Sequence, residues 1–456
     1  MKDANLYIDG YSLTVEHIIQ AVRGEWESVR LKAEAKVRCE SSRAQVSRWL
    51  GSDAPVVYGV NTGLGNLKDT ALSPEEHLDW NKTIPYPHAV GVGEYLNPVI
   101  TRASMLIRAN VLSRGYSGVR PQLIERMLEI FNHGIAPAIR ELGSTGLSDL
   151  GPLAHNAMVV GGLEEAEVFY KGRHMAAQAC FQELDMADVF PLECKEVLSQ
   201  MNGSTMTQAI AIFACHNMQQ LLEVETKIEA ILNHDRRIII DSKERVDRAV
   251  EQAFDIILNT VNFENNITCD NPLLFEVEDG YEAVMGCNCS NTQVGYVMDL
   301  LNFLIADKAN YILEFINRLD LEEGGRLSAT REAASARVRL IQSLSLPASA
   351  DSISTKANQE DHVEFSFGAA RKALKALNAY QSLLSYLLGA AIKTDAVRKD
   401  ASKVLEVFPD LNVNKTGSSA NLAADINRYL AEKFDLVSLI LKTDGDRSLA
   451  SAEKAI

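Results

Sequence analysis

The chain has 456 residues, 46% of them hydrophobic and 23% charged, with a formal net charge of −16. That composition is globular, and an acidic balance with no clustered Lys and Arg argues against nucleic-acid binding, which needs concentrated positive charge to neutralise phosphates. No apolar run approaches the ~20 residues of a membrane span, Met1-Lys2-Asp3-Ala4 opens no targeting pattern, and seven cysteines, in no metal-like pairs apart from the C-x-C of Cys287 and Cys289, point to a reducing, cytoplasmic compartment and to no metal site.

Helical patterning dominates in chain order. Residues 13 to 50 carry Val15, Ile18, Ile19, Val22, Trp26 and Val29 near i, i+3, i+4, i+7 spacing, which predicts helix. Residues 99 to 134 read the same way. The stretch Val294 to Leu319, with Leu300, Leu301, Phe303, Leu304, Tyr311, Ile312 and Phe315, is apolar on too many faces for a one-sided helix. It is expected inside the core or against another subunit. Three more helical stretches fall around 366 to 393, 398 to 407 and 419 to 441. Strand signals are short: Val56-Val57-Tyr58 and Ile238-Ile239-Ile240. The expected fold is mostly α, a bundle of long helices with a loop-rich N-terminal region. Length suggests two or three domains, but no linker divides the chain. Residues 1–200 and 201–456 are read as an N-terminal region and a central and C-terminal bundle of one continuous unit.

The motifs are more specific than the patterning. Gly143-Ser144-Thr145-Gly146-Leu147-Ser148-Asp149-Leu150-Gly151-Pro152-Leu153-Ala154-His155 resembles the active-site loop G-S-x-G-A-S-G-D-L-A-P-L-A-H of the histidine and aromatic amino acid ammonia-lyases. Tyr58-Gly59-Val60-Asn61-Thr62-Gly63-Leu64-Gly65 resembles that family's Y-G-V-N-T-G-F-G loop. His88-Ala89-Val90-Gly91-Val92-Gly93, Asn202-Gly203-Ser204-Thr205, Cys269-Asp270-Asn271-Pro272-Leu273-Leu274-Phe275 and Asn358-Gln359-Glu360-Asp361-His362-Val363 continue the likeness. Arg108-Ala109-Asn110 and Gly115-Tyr116-Ser117-Gly118-Val119-Arg120 match as fold markers. The resemblance covers about residues 55 to 365 and implies an ammonia-lyase-like helical bundle whose active site lies in residues 1–200. It also implies a homotetramer in which each site borrows residues from neighbouring chains.

By the same resemblance Tyr58 is the catalytic base and Glu360 a second acid–base group. His88 lines the side-chain pocket, and Asn202 contacts electrophile and substrate. Leu64, Leu147, Cys289 and Gln359 border the substrate. The plainer alternatives are a buried loop tyrosine for Tyr58, a structural histidine for His88 and a helix cap for Asn202.

Three departures bear on chemistry. The family cyclises its Ala-Ser-Gly into an electrophilic methylidene-imidazolone (MIO). Here Leu147-Ser148 stand in that place, one residue is missing, and Asp149 follows directly. Glycine suits the attacking nitrogen because it lacks a Cβ and enters a tight turn. MIO is therefore expected to be absent, leaving Ser148 either a reactive group of the site or part of a turn that caps the next helix; cyclisation of Ser144-Thr145-Gly146 is the alternative. Second, Gly286-Cys287-Asn288-Cys289-Ser290 replaces G-G-N-F-H, so a small polarizable Cys289 takes the place of an aromatic ring. Third, the family's Q-D-x-Y-S-x-R-C stretch, whose arginine clamps the substrate carboxylate, has no counterpart; Arg236 and Arg237 lie in the gap without the pattern.

These features lead to an acid–base enzyme without MIO. It would carry out elimination, conjugate addition, cyclisation or isomerisation on a small molecule already activated by a carbonyl, free or carrier-linked, with Tyr58 moving the proton and no cofactor. A conventional MIO-type ammonia-lyase and an inactive binding or assembly homologue are the alternatives.

Overall fold

A computed structural model describes residues 4–51, 54–63, 70–233, 243–355, 358, 360–394, 401–412 and 418–441. The N-terminal part alternates short elements: β1 (Leu6–Ile8), α1 (Val15–Val22), β2 (Val29–Leu31), α2 (Ala33–Trp49), α3 (Pro74–Thr83), α4 (Pro85–His88), β3 (Val92–Tyr95), α5 (Pro98–Leu112), α6 (Pro121–Asn132), β4 (Ala136–Pro137) and β5 (Arg140–Leu142). There follow α7 (Leu150–Gly161), β6 (Glu167–Tyr170), β7 (Arg173–Ala176), α8 (Ala177–Glu183) and α9 (Glu196–Met201). The long elements are α10 (Thr205–Asn233), α11 (Lys243–Glu264), α12 (Thr292–Glu322), α13 (Ser328–Leu344) and α14 (Ser366–Lys393), with the hairpin β8 (Leu273–Val277) and β9 (Gly280–Val284) before α12. Two short helices close the described chain, α15 (Ser402–Val407) and α16 (Ser419–Lys433).

The mostly α bundle expected from patterning is the observed architecture. Its centre is α14, whose Ala369, Ala370, Ala373, Ala376 and Ala379 are buried together with Leu374, Leu377, Leu383, Leu384, Leu387 and Leu388. Small and large apolar residues on nearly every face suit a helix surrounded by others; α14 packs against α10, α12, α13 and α16. One apolar core runs from Leu6 through these helices to Leu439, so it crosses the boundary at residue 200. Charge is buried within it. The Lys308 ammonium of α12 lies 2.5 Å from Glu225 of α10 and 2.6 Å from Asp247 of α11, and Tyr380 of α14 donates to Glu225 at 2.7 Å. Four helices thus converge on one polar knot, whose separation would strand charges away from water.

The structure differs from the patterning in several places. The helix expected over 13 to 50 is interrupted: α1 ends at Val22, Gly24 turns the chain at φ 70°, and Val29–Leu31 pair in parallel with Leu6–Ile8. The stretch 99 to 134 is two helices, α5 and α6, separated by the turn that contains Gly115 and Gly118. Val56-Val57-Tyr58 forms no strand; it leads into a turn pinned by Asn61, whose Oδ1 accepts the Val57 N–H. Ile238-Ile239-Ile240 lies outside the described residues. The last helix stops at Lys433 rather than reaching 441. Helix α10 escaped the pattern because Met206 to Met218 is buried on every face, leaving no polar side to set a period.

Candidate active site

Strands β3 and β5 pair antiparallel and deliver the chain to the loop Gly143–Asp149. Glu141, at the loop's base, is held by Arg371 at 2.6 Å and Lys375 at 3.2 Å, both on α14. Burial pushes the Glu141 carboxyl up, but these two cations outweigh it and keep the group below its ordinary range. The loop then meets the start of α14 so closely that a Cβ on Gly146 (φ 105°) would sit 2.2 Å from Ser366 Oγ and 2.7 Å from Ser366 N.

Ser148 has a left-handed backbone, φ 57°, and is 5% exposed. Its hydroxyl donates to Met201 O at 3.3 Å and accepts from the Gly203 N–H at 3.0 Å and Asn202 Nδ2 at 3.2 Å. A hydroxyl offers one donor and two acceptor sites, so this one is fully used in joining the loop to the end of α9.

Asp149 follows. Its backbone N–H donates to Gly203 O at 2.8 Å. Its carboxylate accepts from Ser144 Oγ at 2.6 Å, Thr207 N at 2.7 Å and Thr207 Oγ1 at 3.0 Å. Asp149 begins α7 without capping it through its side chain, so the helix-capping expectation is corrected: the carboxylate serves the first turn of α10 instead. Complete burial pushes its pKa up to about 6, the hydrogen bonds opposing that rise and the charge of Glu364 adding to it.

Asn202 terminates α9 rather than starting α10. Its side chain donates to Ser148 and accepts the Asn271 N–H at 2.8 Å. The Arg108 guanidinium, buried beneath, donates to Asn202 O at 2.9 Å and Ser199 O at 3.3 Å. Cys289 enters from the turn after β9; its carbonyl accepts from Ser148 N at 3.3 Å and from Ser204 Oγ at 2.9 Å. Leu147, Cys289 and Val363 form a small apolar cluster of their own, with Phe365 against it.

The structure therefore brings Leu147, Ser148, Asn202 and Cys289 together. Glu360 lies near the same cluster, since its charge acts on both Cys287 and Cys289, and its carboxylate accepts from Thr355 Oγ1 at 2.6 Å. Tyr58 is half-buried on a separate turn beside Val57 and Val60, which pack with Trp49, Cys194 and Leu274. His88 ends the one-turn helix α4, with Nδ1 2.8 Å from Ile84 O. Leu64 and Gln359 lie outside the described residues, as do Arg236 and Arg237. Patterning had not marked Glu364, which is fully buried and accepts the Asn291 N–H at 2.7 Å. Burial raises its pKa, against the lowering effect of that hydrogen bond. Nothing local to Val363-Glu364-Phe365 signals a buried acid, because its burial depends on a turn some seventy residues away.

The aromatic amino acid lyase family pattern matches residues 13–234 and 246–411. The chain belongs to the aromatic amino acid lyase family. This lyase-family chain is 32% identical to a histidine ammonia-lyase of Alkaliphilus metalliredigens over 80% of its own length and 83% of the relative's. It is 31% identical to a histidine ammonia-lyase of Caldanaerobacter subterraneus, covering 86% and 88% of the two chains. In three dimensions it is similar to the histidine ammonia-lyase of Trypanosoma cruzi, with a TM-score of 0.80, 23% identity, and 98% and 97% of the two chains covered. It is also similar to the ergothioneine-degrading ergothionase of Treponema denticola, with a TM-score of 0.83, 17% identity, and 95% and 99% covered. These two structures share the fold. Among the described residues, no helix is long and apolar enough to cross a membrane and no cluster of His, Cys, Asp and Glu is arranged to hold a metal.

Proposed function

We propose that this lyase-family protein works without the MIO electrophile, using acid–base chemistry on a small molecule that a ketone or thioester already activates. The observation that carries the proposal is Asp149. Ring closure at 147–149 would need the Asp149 nitrogen to attack the Leu147 carbonyl, yet that N–H is committed to Gly203 O and the side chain is locked beneath α10. The residues at these positions do not fit the ring. The upstream Ser144-Thr145-Gly146 fits no better, since Ser144 Oγ donates to Asp149 and accepts the Gly146 N–H at 3.0 Å.

In this mechanism Tyr58 takes the proton next to the substrate carbonyl. The carbonyl accepts the resulting charge, which is the work the missing electrophile would do on an unactivated amino acid. Glu360 returns a proton to the departing group, or delivers one in the reverse addition, and His88 and Asn202 orient the substrate. Leu64, Leu147, Cys289 and Gln359 shape the pocket. Ser148 is a positioning residue, because its hydroxyl has no capacity left for substrate. The substrate is a small molecule, free or carrier-bound, and the working particle is a cytoplasmic homotetramer that needs no cofactor.

Tyr58→Phe tests the assignment. A positioned acid or base contributes typically ~10² to 10⁴-fold, so turnover of β-substituted ketones and thioesters is expected to fall by that factor with the fold intact. Full activity in Tyr58→Phe would remove the proposal. A second reading, a conventional ammonia-lyase acting on histidine or an aromatic amino acid, is favoured by the names of the relatives near 30% identity. It requires a cyclised triad, which the mass of the loop reveals.

A further inference from the structure

We propose that Cys287 and Cys289 form a redox-active dithiol that a peroxide converts to a disulfide at the edge of the active site. The seven cysteines are all free thiols, and Cys287 alone is exposed; the other six are buried. Cys287 and Cys289 stand two residues apart in one tight turn, closed by Ser290 N–H donating to Cys287 O at 3.0 Å. An accessible sulfur thus shares a turn with a sheltered partner sulfur. That is the arrangement in which the first is oxidised and the second resolves it.

The electrostatics divide the labour in the same direction. The hydrogen bond from the Cys289 thiol lowers the Cys287 pKa to about 7, outweighing burial and the nearby charges of Glu364, Glu360 and Asp361. The same contact, with burial, pushes the Cys289 thiol up and keeps it protonated. Burial also raises Cys39, Cys194 and Cys215 to about 12 and Cys180 to about 11, and lifts Cys269. Cys287 is thus favoured toward the thiolate while burial holds these five as thiols, and the thiolate is the reactive form.

The chemistry balances as two steps. The Cys287 thiolate attacks the peroxide oxygen; an S–O bond forms, the O–O bond breaks, and an alkoxide or hydroxide leaves. The Cys289 sulfur then attacks Cys287 sulfur; the S–S bond forms, the S–O bond breaks, and the Cys289 proton leaves with the hydroxyl as water. The dithiol loses two electrons and the peroxide gains them. The consequence reaches the site because the Cys289 carbonyl holds both the Ser148 N–H and Ser204 Oγ, and its side chain packs on Leu147. Closing a ring through two cysteines one residue apart in this turn must re-aim that carbonyl, loosening the 146–149 loop. This inference concerns the thiols and does not rest on the absence of MIO.

The test is stoichiometric hydrogen peroxide on the reduced full-length protein, followed by alkylation, digestion and mass measurement of the peptide that contains both cysteines. The expected product has lost two hydrogens, takes no alkyl group and recovers both after a dithiol reductant. In Cys289→Ser the oxidation is expected to stop at a sulfenic acid on Cys287 that dimedone traps; in Cys287→Ser the peptide stays reduced. The proposal is overturned if both thiols remain alkylatable under peroxide, or if Cys287 proceeds to sulfinic acid while Cys289 stays free. The Gly143–His155 peptide in the same digest reports ring formation separately, so the two proposals fail independently.

Discussion

At the scale of single residues, Asp149 carries the proposal that this chain works without MIO. Its position was legible in the sequence, as the residue that stands where a glycine nitrogen is wanted. Its partners were not, because Thr207 and Ser144 reach it only through the folded loop. Its carboxyl titrates near 6 in the fold against an ordinary 3.8, chiefly because burial penalises the charge. The folded chain therefore holds this proton more tightly than the unfolded chain. Its favourable contribution is complete below pH 3.8 and is lost as pH rises through about 6. The lost contribution amounts to about 3 kcal/mol. Asp149→Asn cannot ionise, so wild type should lose stability relative to the variant between pH 4 and pH 6, then run parallel to it. Urea titrations across that interval check the trend; a constant difference would show that Asp149 is not held in this state. Ser148 teaches a related lesson. A serine beside the family's catalytic position reads as a reagent in one dimension, and its three hydrogen bonds make it a fastener in three.

At the scale of elements, the site is a junction where the ends of α9, α10 and α14 meet two loops. Gly203 sits at its narrowest point with φ 126°, and a Cβ there would lie 2.6 Å from Cys269 Sγ, 2.7 Å from Arg108 Nη2 and 2.8 Å from Cys269 O. Gly203→Ala must strain the backbone and displace the Arg108 bridge to Asn202, at a cost of about 2–4 kcal/mol. A thermal melt should show a clear loss of stability; an unchanged melting temperature would mean that the junction is looser than described. The motif residues Asn202 and Cys289 were legible as site members because short patterns such as Asn-Gly-Ser keep their spacing. The buried Glu364 was not, since burial is a property of neighbours distant in sequence. Helices such as α14 were readable to the residue because their ends coincide with changes in composition. Helix α10 was not, because the burial of Met206 to Met218 on every face erases the amphipathic period there.

At the scale of the molecule, one core unites the loop-rich N-terminal region with the helical bundle, which is why no linker appeared in the sequence. Tyr296 and Phe303 of α12 and Ile256 and Phe263 of α11 remain largely exposed on this single chain, although these are the helices the bundle is built from. Large apolar side chains on long helices are surface that association would cover, and light scattering should report a particle of four chains; a monomer would contradict the tetramer. The central claim, a lyase scaffold that makes no electrophile from its own backbone, is tested most directly by the mass of the intact chain and of its Gly143–His155 peptide. The account predicts the unmodified mass. A deficit of two waters would place a cyclised MIO in this loop and return the protein to conventional ammonia-lyase chemistry.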